Sequence, residues 1–156
     1  MKQSYNIQDV AKWLLSKQSM SPKKLQKMLY YEYSWFLVLF NDSSDDLSQR
    51  LFDDTFEAWV HGPVNYEIYT EYKENGYHEI EQVHENMDKK FEPDVLDSLN
   101  EVFNIYSKYN GGELERLTHS EDPWKNARKN CKPLDRSDKK ISDSDIYNFY
   151  YNLINP

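Results

Sequence analysis

Two histidines stand at breaks in this chain, each beside a tryptophan: His61 lies just after Trp59, and His119 just before Trp124. Imidazoles titrate near neutral pH, so two of them in one pocket would supply an acid and a base. The alternative is that each ring ties its turn to the backbone by hydrogen bonds, and the residues favour that reading. His78 and His84 are spaced off a common helical face and do not read as metal ligands. The one cysteine, Cys131, has Lys129 and Lys132 beside it, which lowers a thiol's pKa. A nucleophile also needs a base and an orienting group, and the local sequence offers neither. Asp42, Asp45 and Asp46, and again Asp53 and Asp54, lack the glycine turn and closing glutamate of a calcium loop. With only 4 glycines there is no phosphate-binding loop, and no zinc pattern occurs. The sequence therefore points to no catalytic set, no metal and no cofactor.

Around His61 the pattern changes period. Phe56, Ala58 and Val60 alternate with Glu57, Trp59 and His61, as in a half-buried strand. Gly62 and Pro63 are expected to stop it as a corner. A helix should follow, capped by Asn65, carrying Val64, Ile68, Tyr69 and Tyr72 and ending at Asn75-Gly76. Leu51 to Phe56 resembles two short strands about a turn, giving at most a small hairpin.

The other elements are helical. Ile7, Val10, Ala11, Leu14 and Leu15 mark an amphipathic helix over Asn6 to Gln18. Ser21-Pro22 begins a second, whose first turn is basic: Lys23, Lys24 and Lys27 read as a solvated face or a patch for an acidic partner. From Met28 to Phe40 that helix is apolar nearly all round, which predicts a central position. Asn41 to Gln49 and Tyr77 to Lys90 read as loops. Pro93 starts a helix that Asn110-Gly111-Gly112 should end. Glu113 to Thr118 is a short helix, and Pro123 opens another. Residues 130–140 form a charged connector, and Ser142 caps the last helix, about 142–154.

The 156 residues fit one domain with a mainly α, compact helical fold around the central helix. Aromatic content is 15%, with 13 tyrosines and 4 tryptophans, so the core should be edged with hydroxyls. The net charge of -8 argues against direct nucleic-acid binding and against an anionic membrane, and suits a protein partner, a basic one included. No apolar run is long enough to span a bilayer. No signal peptide is visible, and a lone cysteine makes no internal disulfide, so a cytoplasmic location is expected.

Three blocks carry a resemblance: Lys24-Leu25-Gln26-Lys27-Met28-Leu29-Tyr30-Tyr31; then Phe56 to Val64 with Tyr69; then Leu117-Thr118-His119 with Pro123-Trp124. In order and spacing, over residues 7 to about 129, the chain resembles the Panacea domain family (DUF4065, SocA-like), found in antitoxins and in phage proteins. Met28 departs from the leucine usual there. The resemblance implies a non-enzymatic protein that neutralises a toxin by direct contact, in some members delivering it to a protease. A phage or prophage accessory protein that inhibits a host or defence factor is the alternative, and a His-dependent enzyme a weaker one. The family's characteristic positions fall on Lys24, Leu25, Lys27, Leu29, Tyr30, Ala58, Trp59, Gly62, Pro63, Val64, Tyr69, His119 and Trp124. Leu25, Leu29 and Ala58 should be core, Gly62 and Pro63 the corner, and Trp59 and Trp124 a packed pair. Lys27, Trp59, His61, Tyr69 and His119 are the candidates for a partner-binding surface.

Overall fold

A computed structural model describes residues 4–156. Helix α1 (Ile7–Lys17) begins where Asn6 accepts a hydrogen bond from the Gln8 amide. Helix α2 (Pro22–Phe40) begins at Ser21, whose hydroxyl accepts from the Lys24 amide, with Pro22 in the first turn where no amide is needed. As its apolar circumference requires, α2 is the centre. It packs against α1, against β2 (Gly62–Val64), and against α3 (Tyr66–Tyr72), α4 (Pro93–Tyr106), α5 (Gly111–His119) and α7 (Asp143–Ile154). Its buried face takes in Leu25, Met28, Leu29, Tyr30, Tyr31, Tyr33, Phe36, Leu37 and Val38. It emerges at its two ends, at Lys23 and at Leu39. Helix α6 (Asp122–Ala127) joins α5 to α7.

The small β element starts six residues beyond its expected start at Leu51. The hairpin is not in Leu51 to Phe56. It pairs β1 (Glu57–Trp59) with β2, in the register Glu57 to Val64 and Trp59 to Gly62. Val60 and His61 make the turn, so Gly62 and Pro63 are not a corner that ends a strand. They are the returning strand. Gly62 permits this because its φ is +111°, a region that side chains avoid. Pro63 sits opposite Ala58, and its missing amide is tolerated in so short a ribbon. Phe52 instead forms an isolated parallel bridge with Tyr5.

The charged connector is also more ordered than a linker. Its end lies along β1: the Ala58 amide donates to Lys139 O at 2.8 Å, and the Ile141 amide to Phe56 O at 2.8 Å. Arg128 fastens this strap. Its guanidinium donates to the carbonyls of Ala58 (2.9 Å), Lys132 (3.2 Å), Pro133 (3.4 Å) and Asp135 (2.7 Å). Buried carbonyls without amide partners need such a donor.

Asn110-Gly111-Gly112 starts α5 rather than closing α4. Asn110 and Glu113 form a reciprocal capping box, at 2.8 and 2.9 Å. Helix α3 follows its Asn65 cap as expected and tightens into a 3-10 turn, Lys73–Asn75, before Gly76.

The expected hydroxyl edge reaches inside the core. Tyr31 and Tyr150 both donate to one carboxyl oxygen of Glu121, at 2.8 and 2.7 Å, and Glu121 is 6% exposed. Tyr31 also stacks on Tyr106 at 4.0 Å. One polar knot thus joins α2, α4, α7 and the turn before α6.

Candidate functional site

The three sequence blocks meet under the hairpin. Lys27 projects from the second turn of α2 toward β2. A β-carbon on Gly62 would lie 2.7 Å from Lys27 Cε and 3.1 Å from Thr118 Oγ1. Lys27 is 2% exposed. Its expected place on a partner-facing patch is therefore corrected: the hairpin covers it. The rest of the basic turn stays at the surface, Lys23 exposed and Lys24 partly so, but is tethered there. Lys24 Nζ donates to Ser107 O at 2.6 Å, and Lys23 pairs with Glu115 at 2.5 Å. A basic first turn is unfavourable for the helix dipole, and here Lys23 and Lys24 are held by Glu115 and the Ser107 carbonyl.

Glu115 and Lys23 are the charged groups that act on Lys27. Burial lowers its pKa to about 7; Glu115 pulls it back up and Lys23 pushes it further down. Glu115 is the hub. Burial works against its charge, but Lys23 and His61 prevail and hold it below the ordinary carboxylate range. His61 Nδ1 lies 3.1 Å from Glu115 Oε2, on the exposed side of the turn.

His119 comes in from the end of α5. Burial lowers its pKa, against Glu115 and with Lys27 and His61. The ring bonds the Val60 backbone, while its Nε2 is buried with no hydrogen-bond partner among the described residues. It stacks on Trp124 at 3.9 Å and 14°. So His61 and His119 share a neighbourhood around Glu115, and His61 reaches that carboxylate rather than the backbone that the sequence reading gave it.

Trp59 and Trp124 do not meet as a ring pair. Trp124 Nε1 donates to the Trp59 carbonyl at 2.8 Å, and its ring is spent on His119. Trp59 turns the other way, onto Tyr69, with centroids 4.9 Å apart. Tyr66 continues this row. Tyr66 and Tyr69 are exposed by 58% and 40%, large values for rings. Beside them a groove of 830 Å³ runs between the hairpin residues Trp59, Val60 and His61 and the strap residues Arg136, Ser137 and Asp138.

Thus Trp59, His61 and Tyr69 reach the surface, and Lys27 and His119 lie beneath. Leu25, Leu29, Tyr30 and Ala58 are buried, as expected. Four positions went unseen in the sequence: Gln26, Glu115, Thr118 as a neighbour of Gly62, and Arg128. Gln26 clamps the hairpin's exit, accepting from the Asn65 amide at 2.8 Å and donating to Asn65 O at 3.0 Å. Glu115 had a signal, since it stands four residues before His119 on one helical face. Arg128 and Gln26 had none, because their partners are distant backbone atoms.

Among the described residues no group of acidic, histidine or cysteine side chains is arranged to hold a metal ion. No described helix is long and apolar enough to cross a membrane. A family model described as antitoxin SocA-like, Panacea domain, matches residues 25–125. No curated protein and no solved structure matches the chain. The matched region holds the hairpin, the buried lysine and the aromatic row, and the chain belongs to the SocA-like antitoxin family as a Panacea-domain protein.

Proposed function

We propose that this protein neutralises a partner protein by direct contact, with the hairpin face as its docking surface. Family membership supports an antitoxin-like role. The observation that carries the choice of surface is the exposed row Trp59, Tyr69 and Tyr66 beside the groove. Rigid aromatic rings bury much area at little entropic cost, which makes them anchors in interfaces. The acidic surface, with a net charge of -8, would draw in a basic partner and raise its association rate. The polar contacts behind the row hold it rigid: Trp59 Nε1 donates to Glu57 at 2.8 Å, and the hairpin backbone is pinned by Trp124 and Arg128.

The test is co-expression with the product of the adjacent reading frame. Restored growth together with a co-purifying complex supports neutralisation by contact. Restored growth with no complex removes that mechanism. Delivery of the partner to a protease is a further step of the same reading. It is checked by the partner's half-life in cells with and without this protein: an unchanged half-life leaves sequestration alone.

A further inference from the structure

We propose that the strap beside the hairpin is a docking edge for an acidic, extended segment of the partner protein, in which Asp or Glu is interleaved with aromatic or apolar side chains. It rests on the docking role of the hairpin face and adds the chemistry of what enters there. Residues 128–140 carry six basic side chains and two acidic ones, while the rest of the chain carries 13 basic and 25 acidic. Lys129, Lys132, Arg136, Lys139 and Lys140 are all exposed. Among the described residues none of these five stands in an ion pair, whereas Lys17, Lys23, Arg50, Lys90 and Lys125 do. The strap is a basic island on an acidic molecule.

A charged run that only kept the chain in solution would need no fixed shape, and this one has a shape. The buried guanidinium of Arg128 holds three of its carbonyls. The Lys132 amide donates to Asp135 Oδ2 at 2.9 Å, and the Asp135 amide to the Lys132 carbonyl at 3.0 Å. The far end is pinned to β1 on both sides of the antiparallel bridge between Glu57 and Lys140. In that pattern the amide and carbonyl of Lys140 itself point away from β1. The edge there is open to another strand. Its lysines repel a second copy of the same edge and attract an acidic one.

The groove supplies the apolar half of the recognition. Arg136 lines it together with Trp59, Val64 and Tyr66. A carboxylate of the incoming segment meets the guanidinium in the bidentate manner, and the side chain next to it packs on the rings. Glu57 and Asp138 also line the groove. Glu57 is already engaged, since Trp59 Nε1 donates to it and Lys140 lies opposite. Asp138 is the opposing charge, and it is exposed. A nucleic-acid strand would meet the same cations but run on over acidic surface beyond the strap, which a short acidic segment does not. That wider acidic surface still draws in the basic body of the partner.

The experiment follows, by fluorescence anisotropy, the binding of three rhodamine-labelled probes to the purified full chain: a short peptide of alternating Glu and Tyr, the same peptide with Lys for Glu, and an oligodeoxythymidine of equal charge. A net charge of -8 by itself favours the lysine peptide, whereas the strap favours the glutamate one. The glutamate peptide should bind about tenfold more tightly or better, and lose affinity as salt is added. Arg136→Glu combined with Lys139→Glu should abolish that preference, and Asp138→Asn should strengthen it. All three side chains are exposed, and the order of the peptides on the wild-type chain decides without any variant. Preference for the lysine peptide, equal binding of the two, or tightest binding of the oligonucleotide overturns the proposal. With the co-purifying partner the double charge reversal should cost about tenfold in affinity. Binding that survives the reversal but falls with Tyr66→Ala or Tyr69→Ala overturns the strap's role and leaves the docking face standing. Binding that survives all of these changes overturns both.

Discussion

Lys27 Cε lies directly against the α-carbon of Gly62, so close that a single added methyl group would come within 2.7 Å of it. Gly62 also holds a φ of +111°. Gly62→Ala should therefore destabilise the protein by about 2–4 kcal/mol, from strain and overpacking together. Denaturant midpoints in a double-mutant cycle with Lys27→Ala check the division. Removing the long side chain should return the packing part and leave roughly 1 kcal/mol or more of backbone strain. A fully additive pair would show that the contact does not matter.

The second prediction concerns pH. Lys27 titrates at about 7 in the folded chain against 10.5 when unfolded. Between those values the unfolded state binds the extra proton, so stability rises with pH across that window, by up to about 1.4 kcal/mol per pH unit. Below it the contribution is a constant penalty. Glu115, Lys23 and His119 face the amine and shape the curve. Lys27→Met should lose the rise and be the more stable protein near neutrality. Parallel slopes for the two proteins from pH 7 to 10 would contradict this.

Glu32 is 0% exposed on α2, and neither of its carboxyl oxygens has a hydrogen-bond partner among the described residues. Burial raises its pKa well above normal, so it is carried as the neutral acid. Glu32→Leu should stabilise the fold by about 1–3 kcal/mol, since an apolar side chain of similar size removes a desolvation penalty. Thermal unfolding measures it, and a lowered Tm would mean that the carboxyl has an unseen task.

At Glu121 the sign is opposite to that at Lys27. Burial raises its pKa to about 7, while the Tyr150 and Tyr31 hydroxyls pull it down. The folded state holds the proton longer than the unfolded one, so this group's contribution is full at low pH and is lost as pH rises through about 7. Tyr150→Phe removes one of the two donors. It should raise the Glu121 pKa further and cost about 1–2 kcal/mol. A carboxyl-carbon NMR titration reads the first effect and denaturation the second.

For the docking face, Tyr66→Ala and Tyr69→Ala should each weaken partner binding about tenfold or more, as anchors in an interface do. Both rings are largely exposed, so the variants should unfold at nearly the wild-type midpoint. Calorimetric titration with the co-purifying partner checks affinity. Unchanged binding in both would move the interface elsewhere.

Much of this fold could be read locally. Ser21-Pro22, Asn65 and Ser142 each cap the helix that they announce, through bonds within three residues. The apolar circumference of α2 predicted its central place. Most of what failed involved distant partners, the capping box at Asn110 being a local exception. Gly62-Pro63 looked like a terminator, because a two-residue hairpin turn and a strand opposite are invisible along the chain. Asn110-Gly111-Gly112 looked like a stop because glycine pairs are common there, yet the Glu113 side chain made it a start. Lys27 looked solvated because nothing beside it in sequence tells that Gly62 will lie over it.

The Tyr150 hydroxyl on Glu121 also bears on where this protein can be cut. Residues 25–125 match the family, but that span opens inside α2 and leaves out α1, the Arg128 strap and all of α7. A fragment trimmed to the match would lose Tyr150, leave one side of α2 wet and strip the outer support from β1. It should behave as a partly collapsed chain that binds hydrophobic dyes, so the shortest autonomous piece is set by α7, well past the last recognisable motif.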